Sequence, residues 1–288
     1  MKIILSRKGF DSGSGGCASP IIDGSRIVSL PIPDGRSPYR YDQLVVIDDF
    51  SRMVQDLSGA RVTGRNRVHL DPDLDKDTLK RVDGWKPAFG QTGAAQSHLV
   101  GQGVDVGDVF VFFGWFRDAE RSASGRWSFT KGGRNIHAIF GWLQVGEIVP
   151  LRNGVPEEWE AYPWLADHPH VLRKADPNNV VYVASDELVL PGVASTGLRG
   201  GGSVLDLNEA RTLTDPAAEN RSMWRLPSWF KQADGQSPLS YHGSLDRWTD
   251  DGADVLLKSV ARGQEFVLDC ESRPQASDWL VKILAGEH

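Results

Sequence analysis

The segment Val68-His69-Leu70-Asp71-Pro72-Asp73 places a histidine and a carboxylate two positions apart. On a β-strand His69 and Asp71 would lie on the same face. A neutral imidazole beside a carboxylate can bind a divalent metal ion or serve as an acid/base pair. The acidic run around them is also typical of a solvated turn. We therefore predict His69 and Asp71 as catalytic residues or metal ligands, with that turn as the alternative.

A second set of reactive side chains lies in the segment FGQTGAAQSHL, which ends at Leu99. Gln91, Gln96 and His98 cannot share one face of a helix, but in a loop or a short helix start they could converge. Glutamine reads base edges bidentately, and histidine can exchange protons. We predict Gln91 and Gln96 as ligand-binding residues, and His98 as a catalytic residue and third metal ligand. The alternative for His98 is a buried ring with satisfied nitrogens.

These residues must be positioned by a sheet, and two apolar runs are long enough to form its centre. Val109 to Phe116 is an unbroken β-branched and aromatic run, which predicts a strand covered on both faces. Ile136 to Val149 predicts a second strand, in which Gly141 and Gly146 indicate a bulge or a close approach of backbone. The polar residues 118–134 between the two runs have the composition of a mobile loop. Together they predict a curved antiparallel hairpin.

The hairpin carries side chains that could hold a flat ring. Trp115 and Arg117 alternate on one face of the first strand and Phe116 lies on the other, so stacking and cation–π contacts are available. His137 lies on the second strand, on the face opposite to that of Trp142. The order of a Gly-Asp turn, an aromatic strand, a polar loop and a strand ending in Gly-Glu-Ile resembles the central hairpin of PUA-like barrels, which include the ASCH, EVE and YTH groups. That resemblance implies a nucleobase pocket near Trp115, Phe116 and Trp142, and we predict Arg117 and His137 as further ligand-binding residues.

The N-terminal segment combines a predicted strand, Lys2 to Ser6, with the small-residue loop SRKGFDSGSGGCASP. Such a loop leaves backbone N–H groups free to face an anion, and Arg7 and Lys8 add positive charge. The loop matches neither a P-loop nor a dinucleotide fingerprint. We predict Arg7 and Asp11 as ligand-binding residues, with a structural turn as the alternative.

Two features follow the hairpin. Glu157 to Leu165 has the pattern of a short amphipathic helix, and the segment Asp167-His168-Pro169-His170 comes after it. A His-x-His pair can bind a metal ion from a strand, but the intervening proline is at least as typical of an extended turn.

Seven segments of the chain together resemble the nucleotide modification associated domain, type three. They are SRKGFDSGSGG, SLPIP, HLDPDL, FGQTGAAQSHL, GDVFVFFGWFR, HAIFGWLQVGEI and WRLPSWF. The resemblance implies a place in DNA base hypermodification, which is a pathway and not a particular reaction.

Composition limits the classes of protein that fit. A net charge of −6 and a pI of about 5.7 argue against a protein that coats duplex nucleic acid. Ten tryptophans indicate stacking surfaces or an aromatic core. Cys17 and Cys270 lie in no metal-spaced motif, which favours a reducing, cytoplasmic location, and no apolar run reaches membrane length. No nucleophile elbow, HExxH, paired zinc motif or zinc-deaminase signature is present.

We therefore predict one α+β domain over residues 1–288, built on a strongly bent mixed or antiparallel sheet or a PUA-like barrel, with a barrel-like core at about residues 89–190 and peripheral helices. The predicted partner is a nucleotide or a nucleic acid base, and we predict no association with a membrane. Two functions stay open: a module that binds a nucleotide or modified base, and an enzyme that acts on one with a divalent metal ion. A third alternative is an interaction domain that binds no ligand.

Overall fold

The computed structural model describes residues 1–152, 155–156, 159–172, 176–261 and 263–285. Its α-helices are α1 (Phe50–Leu57), α2 (Gly93–Gly101) and α3 (Gln275–Leu284). Its strands are β1 (Lys2–Arg7), β2 (Ser19–Ile22), β3 (Arg26–Ile27), β4 (Ala88–Gln91), β5 (Val109–Arg121), β6 (Trp127–Phe129), β7 (Asn135–Arg152), β8 (Val155–Pro156), β9 (Val180–Ala184), β10 (Gly201–Ser203), β11 (Met223–Pro227), β12 (Trp248–Asp251), β13 (Asp254–Lys258) and β14 (Glu265–Asp269).

One mixed sheet of eleven strands organises these elements, and its main path runs β14-β1-β5-β7-β9-β4. The β1–β5 pair is parallel, whereas the other neighbours along this path are antiparallel. In the described part of the chain no pairing joins β14 to β4, so the mixed α+β sheet is confirmed and a closed PUA-like barrel is not. A separate sheet has the order β11-β13-β12. The assignment of residues 1–288 to one domain stays a prediction.

Both faces of the central strand β5 are buried, as its apolar run predicts. Val109, Val111 and Phe113 pack into one core with helix α3 and Trp224. Phe110, Phe112 and Phe116 point to the other face and pack with Phe89 and Tyr182. The sheet is therefore the middle layer of the fold, with an apolar core on each side.

The edge of β5 is shared by two strands, and this division positions the site. β1 pairs with β5 as far as Phe113, and β2 resumes the pairing at Phe116. Between them the chain leaves the sheet beside Gly114 and Trp115. Gly114 is required there, because a Cβ atom on it would lie 2.9 Å from the backbone oxygen of Lys8. The small-residue loop thus projects from a gap in the sheet.

The polar excursion after β5 differs from its prediction. β5 continues to Arg121 and pairs with β6, so much of residues 118–134 forms a two-stranded ribbon instead of a mobile loop. The ribbon is anchored because Trp127 is buried in a core with α1, and its backbone N–H donates to Asp56 Oδ2 at 3.1 Å. The polar composition of the segment concealed this anchor.

The glycine prediction in β7 is confirmed. A Cβ atom on Gly141 would lie 2.5 Å from Leu74 Cδ1, and one on Gly146 would lie 2.6 Å from the Ser185 backbone. The pairing register with β9 also shifts at Gly146. The predicted helix over Glu157–Leu165 is instead a pair of 3-10 turns, Trp159–Ala161 and Pro163–Asp167, and residues 157–158 lie outside the described residues. None of the helices in the described ranges is long and apolar enough to cross a membrane.

Candidate metal centre

Three side chains far apart in sequence converge on one point. His69, Asp71 and His170 each offer a ligand atom, and these atoms all lie within 4.8 Å of one another. Nε2 of His69 is 3.4 Å and Nε2 of His170 is 3.5 Å from Asp71 Oδ2. Ligand atoms held at about 2.1 Å from one metal ion are about 3.0 to 3.4 Å apart. The group therefore has the spacing and the donor chemistry of a metal centre.

Strand β4 positions the group through Gly90. The backbone N–H of Gly90 donates to Asp71 Oδ1 at 2.8 Å, which orients the carboxylate. His170 lies on a 3-10 turn, Pro169–Leu172, directly over the same glycine. A Cβ atom on Gly90 would lie 2.3 Å from the His170 ring. Only glycine at this position lets the imidazole approach the strand.

The His170 ring has a defined tautomer. Asn179 Nδ2 donates to the His170 backbone oxygen at 2.8 Å, so Asn179 Oδ1 is the acceptor in its 2.7 Å contact with His170 Nδ1. The ring proton therefore lies on Nδ1, and in the neutral ring Nε2 carries a lone pair toward Asp71.

The His69 ring is oriented in the same way by a carboxylate. His69 Nδ1 lies 3.3 Å from Asp34 Oδ2, which can only accept a proton from it. The hydrogen bond from His69, together with the contacts of Arg36, holds the pKa of Asp34 below its ordinary value although burial opposes this. A carboxylate behind a histidine is the usual support of a metal-binding imidazole.

Asp71 is the centre of the group and is ionised. Burial alone would raise its pKa, but the hydrogen bonds of His170 and His69 and the charges of His170 and His168 outweigh burial and hold that pKa well below its ordinary value. His168 Nε2 is 3.6 Å from Asp71 Oδ1, and its Nδ1 accepts the His170 backbone N–H at 3.3 Å. The Nε2 atoms of His69 and His170 both face the Asp71 carboxylate, although the ring protons are assigned to Nδ1. This arrangement requires either a second proton on each ring or a cation between the nitrogens and the carboxylate. A metal ion bound at this position would displace those ring protons.

The group lies on the wall of a cavity of about 570 Å³, within the range of small-molecule sites. The cavity brings together seven of the residues predicted from the sequence, which are Arg7, Asp11, His69, Asp71, Gln91, Trp115 and His137. Gly9, Phe10, Asp11, Ser12 and Ser14 of the small-residue loop form part of the wall, and a role of this loop in ligand binding stays a prediction. Gln91 Nε2 donates to Glu265 Oε1 at 2.7 Å.

Two residues of the FGQTGAAQSHL segment lie away from the cavity. His98 is on α2, where its Nε2 is 3.1 Å from Ser240 Oγ and its ring is 4.6 Å from the ring of Tyr241. Gln96 is buried, and its Oε1 accepts the Tyr182 hydroxyl. The structure does not bring His98 into the group that contains His69 and Asp71.

The aromatic residues of the hairpin do not converge on one pocket, because some lie in the apolar cores and one lines the cavity. Phe116 is fully buried in one core, and Trp142 is buried in the other core, where its Nε1 donates to the Arg199 backbone oxygen at 3.0 Å. The Arg117 guanidinium lies 4.8 Å from the ring centroid of Phe129. Of the four side chains expected to bracket a base, only Trp115 lines the cavity.

Two cavity residues, His170 and Arg221, were not among the site residues predicted from the sequence. His170 stood in a His-x-His pair for which a turn was the alternative; it lies on a turn and also faces Asp71. Arg221 precedes β11 in a segment with no motif, and its guanidinium lies 4.2 Å from the Trp115 ring centroid.

Comparison with known proteins gives the chain its family. A family model described as nucleotide modification associated domain 3 matches residues 2–269. The chain belongs to this family. All the residues of the metal group and of the cavity lie within the matched range, and membership associates the chain with nucleic acid modification. No curated protein and no solved structure matches the chain.

Proposed function

We propose that this chain is a metal-dependent enzyme of nucleic acid modification, which holds a divalent metal ion with His69, Asp71 and His170 and takes a nucleotide into the adjoining cavity. The observation that supports the proposal most directly is the convergence of three ligand atoms within 4.8 Å on a cavity wall. Membership of the family associates the chain with nucleic acid modification, which supports a nucleotide as the substrate.

The number of protein ligands favours an enzyme over a structural metal site. Structural zinc sites are closed by four protein ligands, whereas catalytic sites use three and keep a position for water or substrate. Two imidazoles and one carboxylate form a set that non-haem iron(II) accepts, and zinc and manganese bind the same donors. A bound ion would supply Lewis-acid activation of an oxygen ligand. Asp34 and Asn179 keep the two ring protons on Nδ1, so that both Nε2 atoms remain available.

The remainder of the cavity suits a nucleotide. Trp115 offers an aromatic ring for a base, and Arg7 and Arg221 offer positive charge for a phosphate. The net charge of −6 argues against binding along a duplex, so the target enters as a free nucleotide or as an unpaired base.

A module that binds a nucleotide or base without chemistry is the second candidate, and Trp115 is the residue that favours it. Arg221 covers one face of this ring at 4.2 Å. A base would therefore stack on the other face or against the ring edge.

Metal content distinguishes these candidates. We would measure it by elemental analysis in the untagged protein and in the His69→Ala, His170→Ala and His98→Ala variants. We expect one divalent ion per chain in the native protein and in His98→Ala, and affinity weaker by more than about a hundredfold in the other two variants, because losing a ligand costs more than the tenfold to hundredfold of losing a supporting residue. A native protein that binds none of iron(II), manganese or zinc on titration contradicts the enzyme, as does full retention by His170→Ala. Retention by His170→Ala together with loss from His69→Ala and His98→Ala would instead support the ligand set predicted from the sequence, which is His69, Asp71 and His98.

A further inference from the structure

One wall of the cavity presents hydrogen-bond donors in excess. Arg7, His137 and Arg221 line it, and each offers N–H groups to the space. Lys8 also lines the cavity, but its ammonium is already paired with Glu265 Oε1 at 2.7 Å. The first three therefore define what this wall can bind.

Arg221 is held in place without a direct ion pair, although the charge of Asp11 across the cavity acts on it. Its guanidinium lies over the Trp115 ring, 4.2 Å from the centroid, which leaves the N–H edge of the group available. No carboxylate among the described residues forms an ion pair with it. Asp11 lines the same cavity, but its Oδ1 accepts the backbone N–H groups of Gly13 and Ser14 at 2.7 and 2.6 Å.

Arg7 is anchored by backbone oxygens and keeps donors in reserve. Nη1 donates to Ala261 and Nη2 donates to Val260, both at 2.9 Å. Its Nε is buried, so the donors in reserve are the second N–H groups of Nη1 and Nη2. Burial lowers the pKa of Arg7, the negative charge of Asp11 opposes this, and the positive charge of Arg221 lowers the pKa by a smaller amount. The two guanidinium groups therefore repel each other and share the charge of Asp11, and neither forms a direct ion pair with it.

His137 adds a neutral donor between these charges. The indole Nε1 of Trp224 donates to His137 Nδ1 at 3.0 Å, and an indole nitrogen can only donate. The ring proton therefore lies on Nε2. Burial, followed by the charges of Arg7 and Arg221, lowers the pKa of His137 to about 3. At neutral pH the ring is an uncharged N–H donor with a fixed tautomer.

We propose that Arg7, His137 and Arg221 form an oxyanion site that holds the phosphate group of the nucleotide substrate. Two guanidinium groups balance a phosphate monoester, which carries about two negative charges at neutral pH. A neutral imidazole completes the donors without adding a third repelling cation. The inference rests on the proposed function for the nucleotide, and it adds that His137 completes the phosphate site and that the protein, not the metal ion, binds the phosphate.

The test compares nucleotides with nucleosides on the full chain after removal of metal by a chelator. Each 2′-deoxynucleoside 5′-monophosphate and its matching nucleoside would be titrated, with binding followed by tryptophan fluorescence and calorimetry. We expect the monophosphate to bind more than tenfold more tightly. Arg221→Met should weaken monophosphate binding by about tenfold to a hundredfold, the loss of charge-assisted hydrogen bonds, and leave nucleoside binding unchanged. Arg126→Met, on the exposed surface of the β5–β6 ribbon, is the matched control.

His137 gives a second, independent arm. His137→Gln keeps an N–H donor and should retain at least a third of the monophosphate affinity, whereas His137→Leu should lose about tenfold or more. Far-UV circular dichroism of each variant shows that it is folded. Equal affinity for nucleotide and nucleoside, equal weakening of both by Arg221→Met, or monophosphate binding only after metal is restored would each overturn the inference.

Metal content, measured in the same variants, separates this inference from the proposed function. A native protein that binds no metal but loses monophosphate affinity in Arg221→Met keeps the oxyanion site and loses the enzyme proposal. A native protein that binds one metal ion per chain but shows no preference for the monophosphate over the nucleoside would support the enzyme proposal and contradict the oxyanion site.

Discussion

Substitution of Gly90 by alanine tests the site at its narrowest contact. The added Cβ would lie 2.3 Å from Cγ and Cδ2 of His170 and 2.8 Å from Nδ1. Ordinary carbon contacts begin at about 3.5 Å, so the ring must retreat by about 1 Å or strand β4 must move. The ring is not free to retreat, because Nδ1 is bound to Asn179 and the backbone oxygen of the same residue accepts the Asn179 amide.

Both responses damage the metal group. Metal–ligand distances tolerate about 0.2 Å of displacement, so a movement of about 1 Å removes His170 as a ligand. Movement of β4 instead displaces the Gly90 N–H from Asp71. We expect Gly90→Ala to lower metal affinity by about tenfold to a hundredfold. Overpacking should also lower the free energy of unfolding of the metal-free protein by about 1 to 3 kcal/mol.

The assays are metal titration and urea denaturation, with Gly101→Ala as the control. A Cβ atom on Gly101 meets nothing within 4 Å, so that variant should bind metal normally and be slightly more stable. In a His170→Ala background the clash is gone, and Gly90→Ala should then cost little. Native metal affinity and stability in Gly90→Ala would refute the reasoning. An equal loss of stability in the His170→Ala background would show that the strain lies elsewhere.

Three further predictions follow from hydrogen bonding and burial. Asn179→Leu removes both the acceptor that fixes the His170 tautomer and the donor to the His170 backbone oxygen, so metal affinity measured by titration should fall by about tenfold to a hundredfold, whereas Asn179→Asp, which keeps only the acceptor, should lose less. Burial raises the pKa of Cys17 and of Cys270 to about 11, so neither thiol should react with a disulfide reagent at pH 8 until the protein is unfolded in urea; rapid reaction of the native protein would contradict this. Burial lowers the pKa of His242 from 6.5 to about 4, with smaller effects from a backbone hydrogen bond and nearby arginines. The folded state then binds fewer protons than the unfolded state, so stability is lost as the pH falls from 6.5 toward 4, by at most about 1.4 kcal/mol per pH unit for this group. Urea denaturation at pH 7.5 and 5.0 should show a smaller difference in His242→Gln than in the native protein.

The sheet was predictable where local pattern and burial agree. The apolar runs that form β1, β5 and β7 lie inside the main path of the sheet, where burial on both faces demands continuous apolar sequence. Strand β6 could not be predicted in this way. Its position depends on the buried Trp127, which packs against α1, a helix about seventy residues earlier in the chain.

The site was predictable only in part, for a related reason. The two-residue spacing of His69 and Asp71 was a local signal, and both residues line the cavity. Which other histidine meets them depends on tertiary structure. His98 and His170 carry the same functional group, but only His170 lies over a glycine of β4, and that proximity joins residues eighty positions apart. No local sequence pattern indicated that Arg221 would line the cavity.

The pairing of β1 with β14 has a consequence for how the protein is assembled. Lys2 pairs with Asp269, and the Cys270 N–H donates to the Met1 backbone oxygen at 3.1 Å. During synthesis one edge of β1 therefore stays unpaired until more than two hundred further residues have been added. A pairing between residues so far apart in sequence has high contact order. The late partner also carries Glu265, which binds Lys8 and Gln91 at the cavity wall. The cavity thus takes its final form only when the last strand of the main sheet arrives, and a ribosome-bound chain that ends before this strand should expose the edge of β1 to chaperones or to aggregation.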